Sequence, residues 1–372
     1  MPTEPTGPVV VVGGGVVGTS VAYFLRDADR PVYLLEKGDL GSGTTAASIA
    51  QFIHHQERPT REAYARRKRA WEWYGPRVES GALSFEQVGT LHLAANDDGR
   101  GALDGLADAH AAFGLDVDVF DSGDLAPLGF DPGELRSGFL IPGDGYLDPQ
   151  ELVGYWADAA REAGVSVETG VEVTDVRTRH GAVTGVETTA GEYDAGTIVN
   201  AAGPWAPELD GMAGVPVPLR HTGGPVVVLE VDRSRSLPLT FLGNELYLRS
   251  DGEGRVLAGK FATGYDGAER FDPDGTFGVS GSFYEEVAET VERYAPGFEE
   301  YEWGEEWFGL RTVTPDGHPV VGRTAVDGYV LATGMSGYGV TLAPTAGQGV
   351  ASLIESGEKP PSVSPLGPGR FD

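Results

Sequence analysis

The segment from Pro8 to Leu25, PVVVVGGGVVGTSVAYFL, constrains the fold more than any other part of the chain. It reads as a buried strand over Val9–Val12, a glycine turn, and a helix opening at about Val16 and Val17. Gly13, Gly15 and Gly18 fit the spacing G-x-G-x-x-G. In that pattern the first glycine permits a tight turn and the second lets a pyrophosphate approach the backbone. The third lets the helix pack against the strand. The N–H groups at the helix start then face phosphate. A second apolar strand, Val32-Tyr33-Leu34-Leu35, ends in Glu36. A carboxylate at that place accepts hydrogen bonds from both hydroxyls of an adenosine ribose. A glycine-rich turn alone occurs in other α/β domains. Strand, turn, helix, second strand and terminal acid together read as a βαβ unit that binds a dinucleotide.

The chain has 372 residues, which suits two domains, and 40% of them are hydrophobic, enough for sizeable cores. No apolar run is long enough to span a bilayer. The start, MPTEPTGP, has no basic segment followed by an apolar one, so the reading is a cytoplasmic protein without a signal peptide. There is no cysteine, which excludes disulfides, thiolate catalysis and Cys-ligated metal sites. The net charge is −29, from 56 acidic against 27 basic residues, and the acids are scattered. Such a surface suits a high-salt cytoplasm, where salt screens the repulsion; the alternative is simply an acidic protein. Either way, nucleic acid and anionic membranes are disfavoured as partners.

Further along, Gly41 to Ser48 is a run of small residues expected to lead into a helix. Arg61–Tyr74, Asp104–Phe113, Pro149–Ala163, Tyr284–Tyr294 and Ala343–Ser356 read as helices. Leu83–Ala94 reads as strands, and Val165–Val176 with Ala182–Thr189 as a small antiparallel sheet. Thr197–Asn200, Pro225–Val231, Leu246–Arg249, Val256–Phe261 and Tyr329–Thr333 read as strands, with turns and strands after Trp307. The chain opens and closes with dinucleotide-type βα units around a strand-rich middle. The expected fold class is α/β: a discontinuous Rossmann-like domain with an inserted α+β domain on an antiparallel sheet. The cofactor part takes residues 1–80, 146–219 and 312–372, and the substrate part 81–145 and 220–311.

Four stretches carry a resemblance to a known family: VVVVGGGVVGTSVAYFL with Glu36; GSGTTAAS, Gly41 to Ser48; IVNAAGPWA, Ile198 to Ala206; and the pair GLRTVTPDGHPVVG and DGYVLATGMSGYGVTLAP, Gly309 to Pro344. The chain resembles the FAD-dependent amine and amino-acid oxidoreductases, the group of D-amino acid oxidase, glycine oxidase, sarcosine oxidase and dimethylglycine dehydrogenase. The resemblance implies that Gly13, Gly15 and Gly18 hold the pyrophosphate and that Glu36, with Lys37 beside it, meets the adenosine ribose. It implies that Thr44, Thr45 and Ser48 pass close to the isoalloxazine and phosphates. Val173 would meet the adenine, and Gly203 and Trp205 would sit beside the dinucleotide. Gly334, Gly337, Tyr338, Gly339, Val340 and Thr341 would form the turn and helix start beneath the flavin, where a helix N-terminus stabilises negative charge. The family's covalent flavin links use a cysteine, absent here, or a histidine after the Thr-Thr pair, where this chain has Ala46-Ala47. Non-covalent FAD is therefore expected.

The implied reaction takes a hydride from the carbon beside a neutral amine to flavin N5, and the imine hydrolyses. Arg311 matches the family's carboxylate-binding arginine; the alternative is a salt bridge with Glu305, Glu306 or Asp316. Tyr247 matches a tyrosine facing the substrate, or is a core strand residue. A second arginine of glycine oxidase-like members is replaced by Gly337, with Tyr338 next to it as a possible cover. Lys260 is either a flavin-facing lysine that helps oxygen accept electrons or a lysine reaching solvent at a strand edge. His55, adjacent to His54 on a helix, is a candidate to enter the cleft, and His318 belongs to a turn. No catalytic metal is expected. The expected partners are a small amine or amino acid and either oxygen or an electron carrier. The competing readings are a carrier-linked dehydrogenase and a flavin-binding subunit that needs a partner subunit. A tRNA-modifying relative would need a basic surface.

Overall fold

A computed structural model describes residues 7–56, 58–231, 237–242, 245–298 and 300–371. The reading of the first residues as lacking a leader rests on residues 1–6 and lies outside the described residues.

Four consecutive valines, Val9–Val12, are buried on both faces, as a central parallel strand requires. This strand pairs in parallel with Thr197–Asn200 on one side and Val32–Glu36 on the other. Tyr329–Thr333 and Ser166–Thr169 extend the sheet in parallel, and Val320–Arg323 closes one edge antiparallel. Side chains alternate across the sheet. Val9 and Val11 pack with Val21 and Ala22 of the first helix and with Ala343, Ala346 and Val350 of the last. Val10 and Val12 pack with Ile198, Leu331 and the smaller antiparallel sheet of Val173–Arg179, Ala182–Thr188 and Gly191–Asp194. The two helices lie close. Ser20 Oγ donates to Ala343 O at 2.9 Å, and a Cβ on Gly347 would meet that hydroxyl at 2.5 Å.

A second sheet has eight strands. Its order is Tyr301–Val313, Arg220–Val231, Arg255–Lys260, Leu246–Ser250, Leu239–Leu242, Thr90–Ala94, Ser137–Ile141, Asp118–Asp121. Its pairs are antiparallel except Leu239–Leu242 against Thr90–Ala94, which run parallel. The helix Gly281–Tyr294 covers one face through Phe283, Val287 and Val291.

Several local expectations are corrected. Gly41 to Ser48 forms successive turns instead of leading into a helix, because its hydroxyls bind backbone elsewhere. Thr45 Oγ1 accepts from Val16 N at 3.1 Å, and Thr44 Oγ1 donates to Leu310 O at 2.9 Å. His54 and His55 sit on an irregular segment after the short strand Gln51–Phe52, not on a helix. Val165 to Val176 splits: Ser166–Thr169 joins the parallel sheet, and only Val173 onward enters the small antiparallel one. The turns and strands after Trp307 stand as read: the 13-residue strand Tyr301–Val313 ends there, and Val320–Arg323 follows after a turn. The last helix opens at Gly339, four residues before Ala343, directly out of the glycine turn.

Candidate active site

The opening turn is built by close packing. Gly13 has φ +107°, and a Cβ there would meet Ala201 O at 2.5 Å. A Cβ on Gly18 would lie 1.8 Å from Gly13 O, so only glycine lets the helix rest on the turn. Gly15, the N-cap of Val16–Phe24, offers no side chain to the helix start. Glu36 stands where its strand ends. Its carboxylate accepts from Gly14 N at 2.6 Å and from Gly38 N at 2.8 Å, which fixes both oxygens beside the turn.

A cavity of about 620 Å³ runs from this turn to the second sheet. Gly13, Gly15, Val16, Val17, Glu36 and Lys37 line one end. Val173, Gly203 and Trp205 line its flanks, and Thr44, Thr45 and Ser48 its middle. Gly334, Gly337, Tyr338, Gly339, Val340 and Thr341 bring a second helix N-terminus to the same cavity. Neither helix is capped by the side chain of its own N-cap residue, and neither has an acidic residue in its first turn. Two positive helix ends facing one cavity suit a ligand with phosphates at one end and electron-rich groups at the other. The size and lining fit a dinucleotide cofactor with a small substrate.

The far end is walled by Phe241, Tyr247, Phe261, Tyr338 and Ile53, with Arg311 beside them. Arg311 Nη1 donates to Gly223 O at 3.0 Å and Nη2 to Lys260 O at 2.7 Å, which holds the guanidinium in place. Its carbon lies 5.2 Å from the Phe261 ring centre. Burial lowers its pKa. The salt-bridge alternative is not formed: Glu305 pairs with Arg255, Asp316 with Arg370, and Glu306 accepts from Tyr284. No carboxylate pairs with Arg311 among the described residues. Gly224 leaves it room, since a Cβ there would lie 2.7 Å from both terminal nitrogens. Tyr247 is buried and lies across Gly259, and burial pushes its hydroxyl pKa up to about 12. Gly337 has φ +85° and a Cβ there would lie 2.8 Å from the Phe261 ring, so Phe261 occupies the space a larger residue would need.

Three sequence-predicted residues do not reach the cavity. Gly18 packs beneath the turn, its Cα spent on contact with Gly13. Lys260 is turned away: Val256 and Ala258 face the covering helix, and two residues on, Lys260 Nζ pairs with Glu286 of that helix at 3.1 Å. Strand alternation instead turns Phe261 into the cavity. His55 lies behind the wall, its ring 3.7 Å from His92, and His92 stacks on Phe241 at 4.9 Å. His54 pairs with buried Asp144 at 2.7 Å. His318 belongs to a turn, with its N–H on Asp316. Phe241 and Phe261 went unread in the sequence. The signal for each was the two-residue alternation, with Leu239 and Gly259 on the same faces.

Residues 8–353 match the family described as FAD dependent oxidoreductase. Mouse mitochondrial dimethylglycine dehydrogenase is 30% identical over 97% of this chain, and glycine oxidase of Geobacillus kaustophilus is 26% identical over 96%. The chain spans 95% of that glycine oxidase but about half the length of other curated relatives, 44% of the mouse protein. The crystal structure of L-proline dehydrogenase from P. horikoshii superposes with a TM-score of 0.87 at 25% identity, covering 99% of this chain and 98% of that one. No helix among the described residues is long and apolar enough to cross a membrane. The chain belongs to the FAD-dependent oxidoreductase family, and FAD is its cofactor.

Proposed function

We propose that this protein oxidises the C–N bond of a small amine or amino acid. The observation that carries the reading is Arg311: a partly buried guanidinium that forms no ion pair with a carboxylate among the described residues, held beside an aromatic pocket in the cofactor cavity. A planar guanidinium binds a carboxylate through two parallel hydrogen bonds and so sets the direction of the substrate. FAD supplies the two-electron acceptor. The substrate loses two electrons and two protons as the C–N bond becomes an imine, which water hydrolyses. Tyr247 stays neutral at working pH and serves as a hydrogen-bonding wall, not as a base. Tyr338 and Phe261 exclude water from the reacting carbon.

In this reading Gly13 and Gly15 approach the pyrophosphate, and Glu36 and Lys37 the ribose. Val173 meets the adenine, and Gly203 and Trp205 flank the dinucleotide. Thr44, Thr45 and Ser48 contact the middle of the cofactor, and the turn from Gly334 to Thr341 its redox ring. Segments 1–80, 146–219 and 312–372 carry the cofactor; 81–145 and 220–311 carry the substrate. The relatives' names support amino-acid and N-methylated amino-acid substrates, and the protein works in the cytoplasm.

Electron transfer to a carrier is favoured over oxygen by one observation. Lys260, for which assisting oxygen was one of two readings, is paired with Glu286 on the opposite face of the strand. The test is an anaerobic bleaching screen of the bound flavin with glycine, sarcosine, dimethylglycine, L-proline and D-amino acids, followed by readmission of oxygen. Bleaching by one of them, lost in Arg311→Ala, is expected, with slow recovery in oxygen. Unbleached flavin with every compound overturns the reading and points to a partner-dependent subunit.

A further inference from the structure

The central strand Val9–Val12 lies between Val32–Glu36 and Thr197–Asn200. Lys37 follows the first of these neighbours and Trp205 follows the second. They therefore come from opposite sides of the glycine turn, and both line the cavity. Yet they touch: Lys37 Nζ lies 4.2 Å from the Trp205 ring centre. Asp274, from the connection between the strand Arg255–Lys260 and the helix Gly281–Tyr294, joins them. Its Oδ1 accepts from Lys37 Nζ at 2.5 Å and from Trp205 Nε1 at 3.1 Å.

The connection that carries Asp274 is itself tied down. His221 and Glu269 exchange backbone hydrogen bonds, and Phe271 N donates to His221 Nδ1 at 3.2 Å. His221 Nε2 in turn donates to Pro204 O at 2.9 Å, one residue before Trp205. Phe277 stacks on Phe308 of the second sheet at 5.4 Å. The segment thus crosses from the second sheet to the crevice flanking the turn, and Asp274 sits at its tip.

We infer that Asp274, Lys37 and Trp205 form a clasp across the cofactor crevice that retains FAD. The chain has no cysteine, so no thioether link can hold the flavin. A clasp closed over the crevice slows the cofactor's departure without touching the reacting atoms. Lys37 is partly exposed and Asp274 exposed, so salt weakens their pairing. Retention by the clasp is therefore salt-sensitive. The inference rests on FAD binding alone and is independent of the substrate.

The test measures FAD release from the loaded protein as the rise in flavin fluorescence after dilution, across a range of salt. Asp274→Asn is expected to release FAD about fivefold faster at low salt. Its release rate should be nearly flat with salt, while that of the wild type climbs. Asp274→Glu should restore slow release, and Trp205→Phe, which keeps the ring and removes the N–H, should fall between. Melting temperatures of the apoproteins monitor folding. Equal release rates in wild type and Asp274→Asn overturn the clasp. So does faster release in Asp274→Asn with the wild-type salt dependence, or with a lowered apoprotein melting temperature that Asp274→Glu shares.

Discussion

The two ends of the cavity are made differently. The cofactor end is local: Gly13, Gly15, Val16 and Glu36 lie within 24 residues and two adjacent strands place them. The substrate end is assembled from distant segments: Phe241, Tyr247 and Arg311 come from the eight-stranded sheet, Phe261 from just past one of its strands, and Ile53 and Tyr338 from outside it. At the first end the backbone is the binding surface, so glycine is the informative residue. At the second, side chains are the surface, and which face of a strand they occupy decides everything. Substitutions at the first end should therefore act on cofactor binding and folding, and those at Phe241, Tyr247 and Arg311 mainly on substrate.

The largest effect is expected at Gly18, which does not line the cavity. A methyl there would lie 1.8 Å from Gly13 O, and neither backbone can yield without moving the helix off the sheet. Gly18→Ala should abolish FAD binding and lower the melting temperature sharply. Gly15→Ala, whose methyl would have only Thr45 Oγ1 near it, at 3.1 Å, should weaken FAD while leaving the apoprotein fold intact. Flavin titration together with apoprotein melting separates the two. If Gly18→Ala binds FAD normally, the division between packing glycine and contact glycine fails.

Next comes Arg311. Removing a buried charge-assisted pair from a carboxylate substrate removes about 2–3 kcal/mol, or roughly 30- to 150-fold in affinity. Arg311→Ala should raise KM, or the half-saturation of flavin bleaching, by that factor. FAD affinity should stay within about twofold, because no cofactor end residue depends on the guanidinium. Arg311→Lys should recover little, since a single ammonium cannot replace the two parallel bonds or both carbonyl contacts at Gly223 and Lys260. Full recovery with lysine would show that charge without geometry suffices.

These expectations also explain what was readable in the sequence. The opening βαβ unit was legible because its strand, turn and helix follow one another, and Val9–Val12 and Val32–Glu36 stand where the pattern put them. Arg311 and Tyr247 were legible through motif resemblance, and both line the cavity. Lys260 carried two readings, flavin-facing or at a strand edge, and the alternation favours the second. Val256 and Ala258 already fix the covered face, so residue 260 points to the helix and 261 to the cavity. His55 misled because its neighbours in space, His92 and His110, come from a strand and a helix far along the chain. The Gly41–Ser48 turns hid behind a helix expectation because Thr44 and Thr45 find their backbone partners 266 and 29 residues away.

A smaller effect tests the wall behind the substrate. His92 sandwiches between Phe139 and Phe241, and burial lowers its pKa to about 3. Below pH about 6.5 the unfolded chain binds a proton that the folded chain refuses, so stability falls as pH drops through that window toward 3. His55 and His110 are shifted the same way, chiefly by burial. His92→Phe keeps the stack and removes one such group. Its melting temperature should drop less than the wild type's between pH 7 and 5, with KM changed by about twofold or less. An unchanged pH slope would mean that the ring is already protonated or that the unfolded chain does not titrate there.

The smallest effect is expected at Lys260, whose two readings were a flavin-facing cation and a lysine at a strand edge. Lys260 is joined to Glu286 with both side chains about one-third exposed, a pairing worth at most about 1 kcal/mol. Its backbone carbonyl, not its ammonium, serves the site, by accepting from Arg311. Lys260→Met keeps that carbonyl and removes the charge. Flavin reduction and reoxidation by oxygen should both stay within about twofold of the wild type, with the melting temperature shifted by a few degrees at most. A large loss of reoxidation alone would place the ammonium's field at the flavin in spite of its direction, and would reopen the oxidase reading at the expense of the carrier. A large loss of reduction would instead mean that Glu286 and Lys260 hold the strand on which Arg311 leans, and the two ends of the cavity would then be less separable than their construction implies.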